Sequence, residues 1–277
     1  MKTLKIFLLL TGISWSMLVV AQSQHALSFD GINDYVDCGT DASLNITGPV
    51  TVEVWLYFTT AQAQYKRFVV RQWETSYNLG VGTYTNSILF GMAPNGNVNN
   101  TLQTGPVAVL TTGAWNHVAG TWDGDTLRIF VNGEPIAKKA WVNNATSGST
   151  LPTILGSDQA FNSTRFYQGK MDEVRIWNVA RTMQEIRDNM YKELDNPSME
   201  LNLMAYYRFN EGTGQISADF SQHGNTAILG GTNNPEDSDP TWEVSYAPIP
   251  YYTVADGSWD VNATWAPTQT KPVKSWA

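Results

Sequence analysis

Few side chains in this sequence are spaced to break a bond. Glu53 lies inside the run 51–58, TVEVWLYF, and Asp172 and Glu173 stand side by side in the run 171–177, MDEVRIW. Hydrolysis of a glycosidic bond needs two carboxyl groups roughly 5 to 9.5 Å apart, one as acid and one as nucleophile or base. Neighbours in a strand point to opposite faces, so Asp172 and Glu173 are not expected to pair. Glu53, among large aromatics, reads as a hydrogen-bonded sheet residue rather than a general acid. His25, His117 and His223 are scattered, without H-E-x-x-H spacing. No G-x-S-x-G turn, phosphate loop or dinucleotide glycine pattern occurs. Cys38 is the only cysteine, so no intrachain disulfide can form, and a small buried thiol is expected. The sequence therefore offers no catalytic residue, and the chain is expected not to be an enzyme.

Binding chemistry has better candidates. Regular alternation through 171–177 puts Asp172 on the apolar face with Val174 and Ile176, where an unpaired carboxylate is costly. Two partners remain open. One is a structural calcium ion, which takes six to eight oxygen ligands and would join Asp172 to Asp30 and Asn33 of the turn 30–33. The other is a set of backbone amides, with Asp30 capping its own turn. The acidic group Glu236, Asp237 and Asp239 reads as a solvated loop. Stacking on a sugar ring needs exposed aromatics with a few polar groups beside them. The candidates are Trp55 and Tyr57 in the run 51–58, Trp73 and Tyr77 flanking an expected turn, Tyr84 and Trp141.

Such residues must be held by strands. The stretch 115–133, WNHVAGTWDGDTLRIFVNG, reads as a hairpin: Val118 and Trp122, then Leu127, Ile129 and Val131, alternate on either side of Asp123-Gly124. Further strands are expected at 26–30, 35–38, 51–58, 67–72, 77–81, 87–91, 151–156, 169–177, 203–209, 227–229 and 241–245, with 95–104 a polar loop. One helix is expected, starting at the capping box Thr182-x-x-Glu185 and running about three turns past Ile186, Met190 and Leu194. Many short strands, one short helix and frequent turn signals indicate an all-β, two-sheet antiparallel jelly-roll sandwich.

Composition bounds the setting. Lys2, Lys5, the apolar run 6–20 and the small-residue site Val19-x-Ala21 read as a secretory signal peptide over 1–21, followed by a secreted or surface-displayed chain. No other segment is apolar for the ~20 residues that a membrane span needs. Without Lys2 and Lys5 the balance is 15 basic against 25 acidic side chains, which disfavours nucleic acid and anionic membranes. After Tyr246 the texture changes, and 247–277 reads as a linker and the truncated start of a further module.

Five stretches in order, FDGINDYVDCG, TVEVWLY, WNHVAGTWDGDTLRIFVNG, GKMDEVRIWNVARTMQEI and LMAYYRFNEGTG, resemble a laminin-G-like jelly-roll domain of the concanavalin A-like lectin/glucanase superfamily. The resemblance spans 26–246. It implies two curved antiparallel sheets in a module that binds glycans or proteins, with a structural calcium between first and last strands in related sandwiches. It also implies core roles for Trp115, Trp122 and Trp177. The E-x-D-x-x-E strand of the glucanases is absent. The function expected is binding of an extracellular glycan or glycoprotein for adhesion or substrate targeting. The alternatives are an accessory domain of a larger secreted hydrolase or protease, or a structural spacer.

Overall fold

A computed structural model describes residues 24–72, 75–92, 101–142 and 146–248. The leader 1–21, Trp73 and most of the tail 247–277 lie outside the described residues. In chain order the strands are β1 (His25–Asp30), β2 (Val36–Asp37), β3 (Val50–Tyr57), β4 (Arg67–Val70), β5 (Tyr77–Val81) and β6 (Ile88–Met92). They continue as β7 (Thr101–Gln103), β8 (Trp115–Trp122), β9 (Thr126–Val131), β10 (Glu134–Ala140), β11 (Ile154–Leu155) and β12 (Gln168–Trp177). The last are β13 (Leu203–Tyr207), β14 (Ile216–Ser217), β15 (Ala227–Leu229) and β16 (Thr241–Val244), and the helix α1 is Met183–Asn189.

The strands form two antiparallel sheets, as expected. One runs β10-β9-β8-β3-β12-β1-β16, with β13 also against β12, and the other β14-β15-β2-β11-β4-β5-β6-β7. The hairpin at Asp123-Gly124 extends into a meander, because Asn132 takes a positive φ of 50° and Gly133 one of 75°, turning the chain into β10. That third strand and β7, inside the expected polar loop, were not legible as strands. The Lys-rich β10 is an edge, where charge suits exposure.

Between the sheets lies one large apolar core containing Val50, Val52, Val54 and Leu56 of β3, Val118 and Trp122 of β8, and Phe90 of β6. Gly120 allows close approach here: a Cβ added to it would stand 2.2 Å from Phe90 Cδ2. Cys38 is buried, and that burial pushes its thiol up, as an inert structural cysteine requires.

The outer face of the first sheet is half covered. Helix α1 starts on the expected capping box, and Ile186 packs on Ala119 and Phe130 while Met190 packs on Trp55. It is two turns long rather than three. Arg175 reaches up from β12 to the carbonyls of Asn189 (2.9 Å) and Lys192 (2.7 Å), and Trp55 Nε1 to that of Met190 (2.7 Å). The sheet thus takes carbonyls that a third turn would use, and Leu194 packs separately with Trp177, Leu203 and Tyr206.

Candidate functional site

A bulge in β12 decides which side chains reach that outer face. Asp172 pairs with Trp55 and Arg175 with Glu53, so Glu173 and Val174 together oppose Val54. Glu173 absorbs the extra residue with φ 50°. Val174 and Ile176 stay in the core, while Asp172 shares the outer face with Trp55, Glu53 and Arg175. The expectation that Asp172 lies with Val174 and Ile176 is therefore corrected: the bulge breaks the alternation on which it rested. Alongside β12 the neighbouring strand also changes at this point, from β1 up to Met171 to β13 from Val174 onwards.

The carboxylates gathered here are sealed from solvent. Glu53 is 2 % exposed; its Oε1 accepts from Trp177 Nε1 at 2.9 Å and its Oε2 lies 3.4 Å from His117 Nε2. Burial pushes Glu53 up, but contact with His117, the charge of Arg175 and the Trp177 hydrogen bond outweigh it and hold the carboxyl at about 2. Glu173 accepts from Arg175 at 2.6 Å and from the Tyr206 hydroxyl. Asp172 accepts from Ser245 Oγ at 2.6 Å and from the Glu173 amide at 2.8 Å. Burial, then the charge of Glu173, raises Asp172 well above the carboxylate range. These two carboxyls interact after all, because the bulge removes the opposition of faces that would separate adjacent residues. A general acid must reach its substrate, and none of the three is more than 4 % exposed.

The other half of the outer face is open. One cross-strand row runs Thr241 (β16), Ser28 (β1), Lys170 (β12), Tyr57 (β3) and Trp115 (β8). Directly opposed residues share a face, and at about 4.8 Å per strand the row is about 19 Å long. Every member is partly or fully exposed. The Tyr57 and Trp115 rings have centroids 5.6 Å apart and planes tilted by 46°. Trp115 and Tyr191 pack beside Trp55 and Met190, so the helix buttresses the rings without hiding them. At the other end Lys170 pairs with Glu243 at 2.5 Å, both partly exposed. A pair of rings followed by an ammonium, a carboxylate and two hydroxyls can stack on an apolar ring face and bond to its hydroxyl edge.

The expected aromatic candidates separate. Tyr57 stands in the open row. Trp55, expected to line a groove, is 2 % exposed under α1, Trp141 is 6 % exposed against Trp122 with centroids 4.8 Å apart, and Tyr77 is fully buried in the core, so none of the three offers a face to a ligand. Tyr84 is 47 % exposed, but in the β5–β6 turn of the other sheet. Trp122 and Trp177 are buried as expected. Trp115 departs from the core role that the resemblance implies and faces outward. Its parity was readable, since it lies an odd number of residues from the inward-facing Val118.

The expected calcium ligands are not assembled. Asp30 opposes Gln168, four residues before Asp172 on β12, a separation of about 13 Å along the strand. Asp30 Oδ1 accepts from the amides of Ile32 (2.7 Å) and Asn33 (3.3 Å), and Asn33 Nδ2 donates to the Asp237 carbonyl at 2.8 Å. The turn 30–33 is therefore fastened to the acidic 236–239 loop by its own hydrogen bonds. Among the described residues no group of three His, Cys, Asp or Glu is disposed to hold a metal, so Asp30, Asn33 and Asp172 do not fit a shared cation.

A family model described as the concanavalin A-like lectin/glucanases superfamily matches residues 30–187, more than half of the chain. The chain belongs to that superfamily. The superfamily match includes Tyr57, Trp115 and Lys170, whereas Ser28, Thr241 and Glu243, which complete the row, lie outside it. Among solved structures, the chain is similar to a candidate carbohydrate-binding protein from Bacteroides ovatus, with 21% identity, a TM-score of 0.63, and 82% of this chain and 62% of that one covered. The chain thus spans less than two thirds of that protein, and the likeness is one of fold. Two others have lower scores. For the CBM40 of a Ruminococcus gnavus sialidase, bound to α2,3 sialyllactose, the values are 12%, 0.45, and 60% and 98% covered. For the heptameric pentraxin of Limulus polyphemus they are 15%, 0.44, and 61% and 82%.

Proposed function

We propose that this chain is a non-catalytic glycan-binding module, secreted or displayed at the cell surface, serving adhesion or the targeting of a larger protein to its substrate. One observation carries the reading: the half of the outer face that α1 leaves open presents two adjacent rings, Tyr57 and Trp115, in line with Lys170, Ser28 and Thr241. A saccharide lies along the row, its C–H faces on the rings and its hydroxyls on Lys170, Glu243 and the serine and threonine. Membership of a superfamily that includes lectins supports it, as does the burial of Glu53, Asp172 and Glu173 away from solvent. A shallow platform of this kind binds modestly by itself and gains by avidity when several copies engage one surface.

A glycan array with the purified chain tests this. Selective binding is expected, and Trp115→Ala and Tyr57→Ala should each weaken it about 2- to 10-fold, the worth of one aromatic contact. A blank array from a folded chain, or binding indifferent to both substitutions, overturns the reading.

A further inference from the structure

At the N-terminal end of α1, away from the aromatic row, the same outer face holds a cleft of about 430 Å³. It is lined by Asp123, Arg128, Phe130, Pro135, Ala180, Arg181, Thr182 and Met183. Its two cations are unequal. Arg128 is neutralised by Asp123, which also accepts from the amides of Asp125 and Thr126. Arg181 is not. Its guanidinium lies 4.2 Å from the centre of the Trp177 ring, its side chain is 14 % exposed, and Glu185 Oε1 is 3.8 Å away. The other oxygen of that carboxylate takes the amide and hydroxyl of Thr182 in the capping box. The Arg181 side chain makes no hydrogen bond among the described residues.

A guanidinium whose ion pair is too long for a hydrogen bond still has its donors to offer a ligand. Stacking on Trp177 fixes its plane and leaves the edge, the fork that matches a carboxylate through two parallel bonds. Around it Phe130, Pro135, Ala180 and Met183 supply an apolar wall, and the volume suits one or two sugar rings. We propose that this cleft is a subsite for a carboxylate carried on a sugar ring, a hexuronic acid, with Arg181 as its bidentate partner and the apolar wall against the ring face. The ligand class rests on the glycan-binding reading above; the cleft is a separate place from the aromatic row.

Calorimetric titration of the chain with digalacturonic acid, its dimethyl ester and sodium sulfate tests it. The diacid should bind, and the ester at least 10-fold more weakly. Arg181→Met, which keeps a stem over Trp177, should lose at least 10-fold for the diacid while leaving neutral-glycan binding at Tyr57 and Trp115 unchanged. Arg181→Lys, with charge but no fork, should recover only part of the loss. Equal binding of acid and ester, displacement of the diacid by equimolar sulfate, or indifference to Arg181→Met overturns the subsite. No diacid binding beside intact, Trp115-dependent array binding overturns the subsite alone. Diacid binding that depends on Arg181, beside a neutral-glycan blank, overturns the aromatic row alone.

Discussion

Replacing Glu53 by glutamine asks whether this carboxylate is a structural charge. Glutamine keeps the shape and an acceptor for Trp177 Nε1 but removes the charge facing His117 and Arg175. The carboxyl is held at about 2 against an ordinary 4.5. That difference makes the ionised form about 3 kcal/mol more favourable in the folded chain than in the unfolded one, at about 1.4 kcal/mol per pH unit. Because the folded value is the depressed one, the stabilisation is present above pH 4.5 and fades as pH falls toward 2. At pH 7 the variant should melt about 6 to 12 °C below the parent, taking 2 to 4 °C per kcal/mol for a domain of this size. The gap should close as the pH is lowered from 4.5 to 2. Melting curves of both proteins across that range, read as differences, cancel the other titrating groups. A gap that is absent at pH 7, or the same at pH 7 and pH 2.5, refutes the argument.

Asp172→Asn should behave oppositely. Burial and Glu173 raise Asp172, so its folded form keeps a proton that the unfolded chain releases, and the parent loses stability as pH rises above about 4. The variant, free of that penalty, should gain on the parent from pH 4 to pH 7 in the same melting assay; a variant that falls further behind at pH 7 than at pH 4 contradicts this. Gly120→Ala should destabilise by about 1 to 3 kcal/mol in urea unfolding, the usual cost of overpacking, because its Cβ meets the Phe90 ring. An unchanged midpoint would show that the sheets have slack there.

The contrast between Trp115 and Asp172 shows what the sequence could and could not carry. Where a strand is regular, parity suffices: Thr51, Glu53, Trp55 and Tyr57 do share the outer face of β3, and the two sheets follow from such runs. Trp115 obeys the same rule: its parity with Val118 points it outward, against the core role that the family resemblance implies. Asp172 could not be placed that way, since a non-glycine bulge at Glu173 carries no turn residue to announce it. Its cause is tertiary: the bulge lies where β12 exchanges β1 for β13, and it brings the partners of Arg175 to one face. Arg175 in turn pins the carbonyls beyond α1, ending the helix at two turns. The open row therefore depends on a buried guanidinium two strands from Trp115. Removing Arg175 should disturb the helix end that buttresses Trp115 and Tyr191, so binding at the row and stability would fall together. The conservative loss of a single exposed ring would not link them in this way.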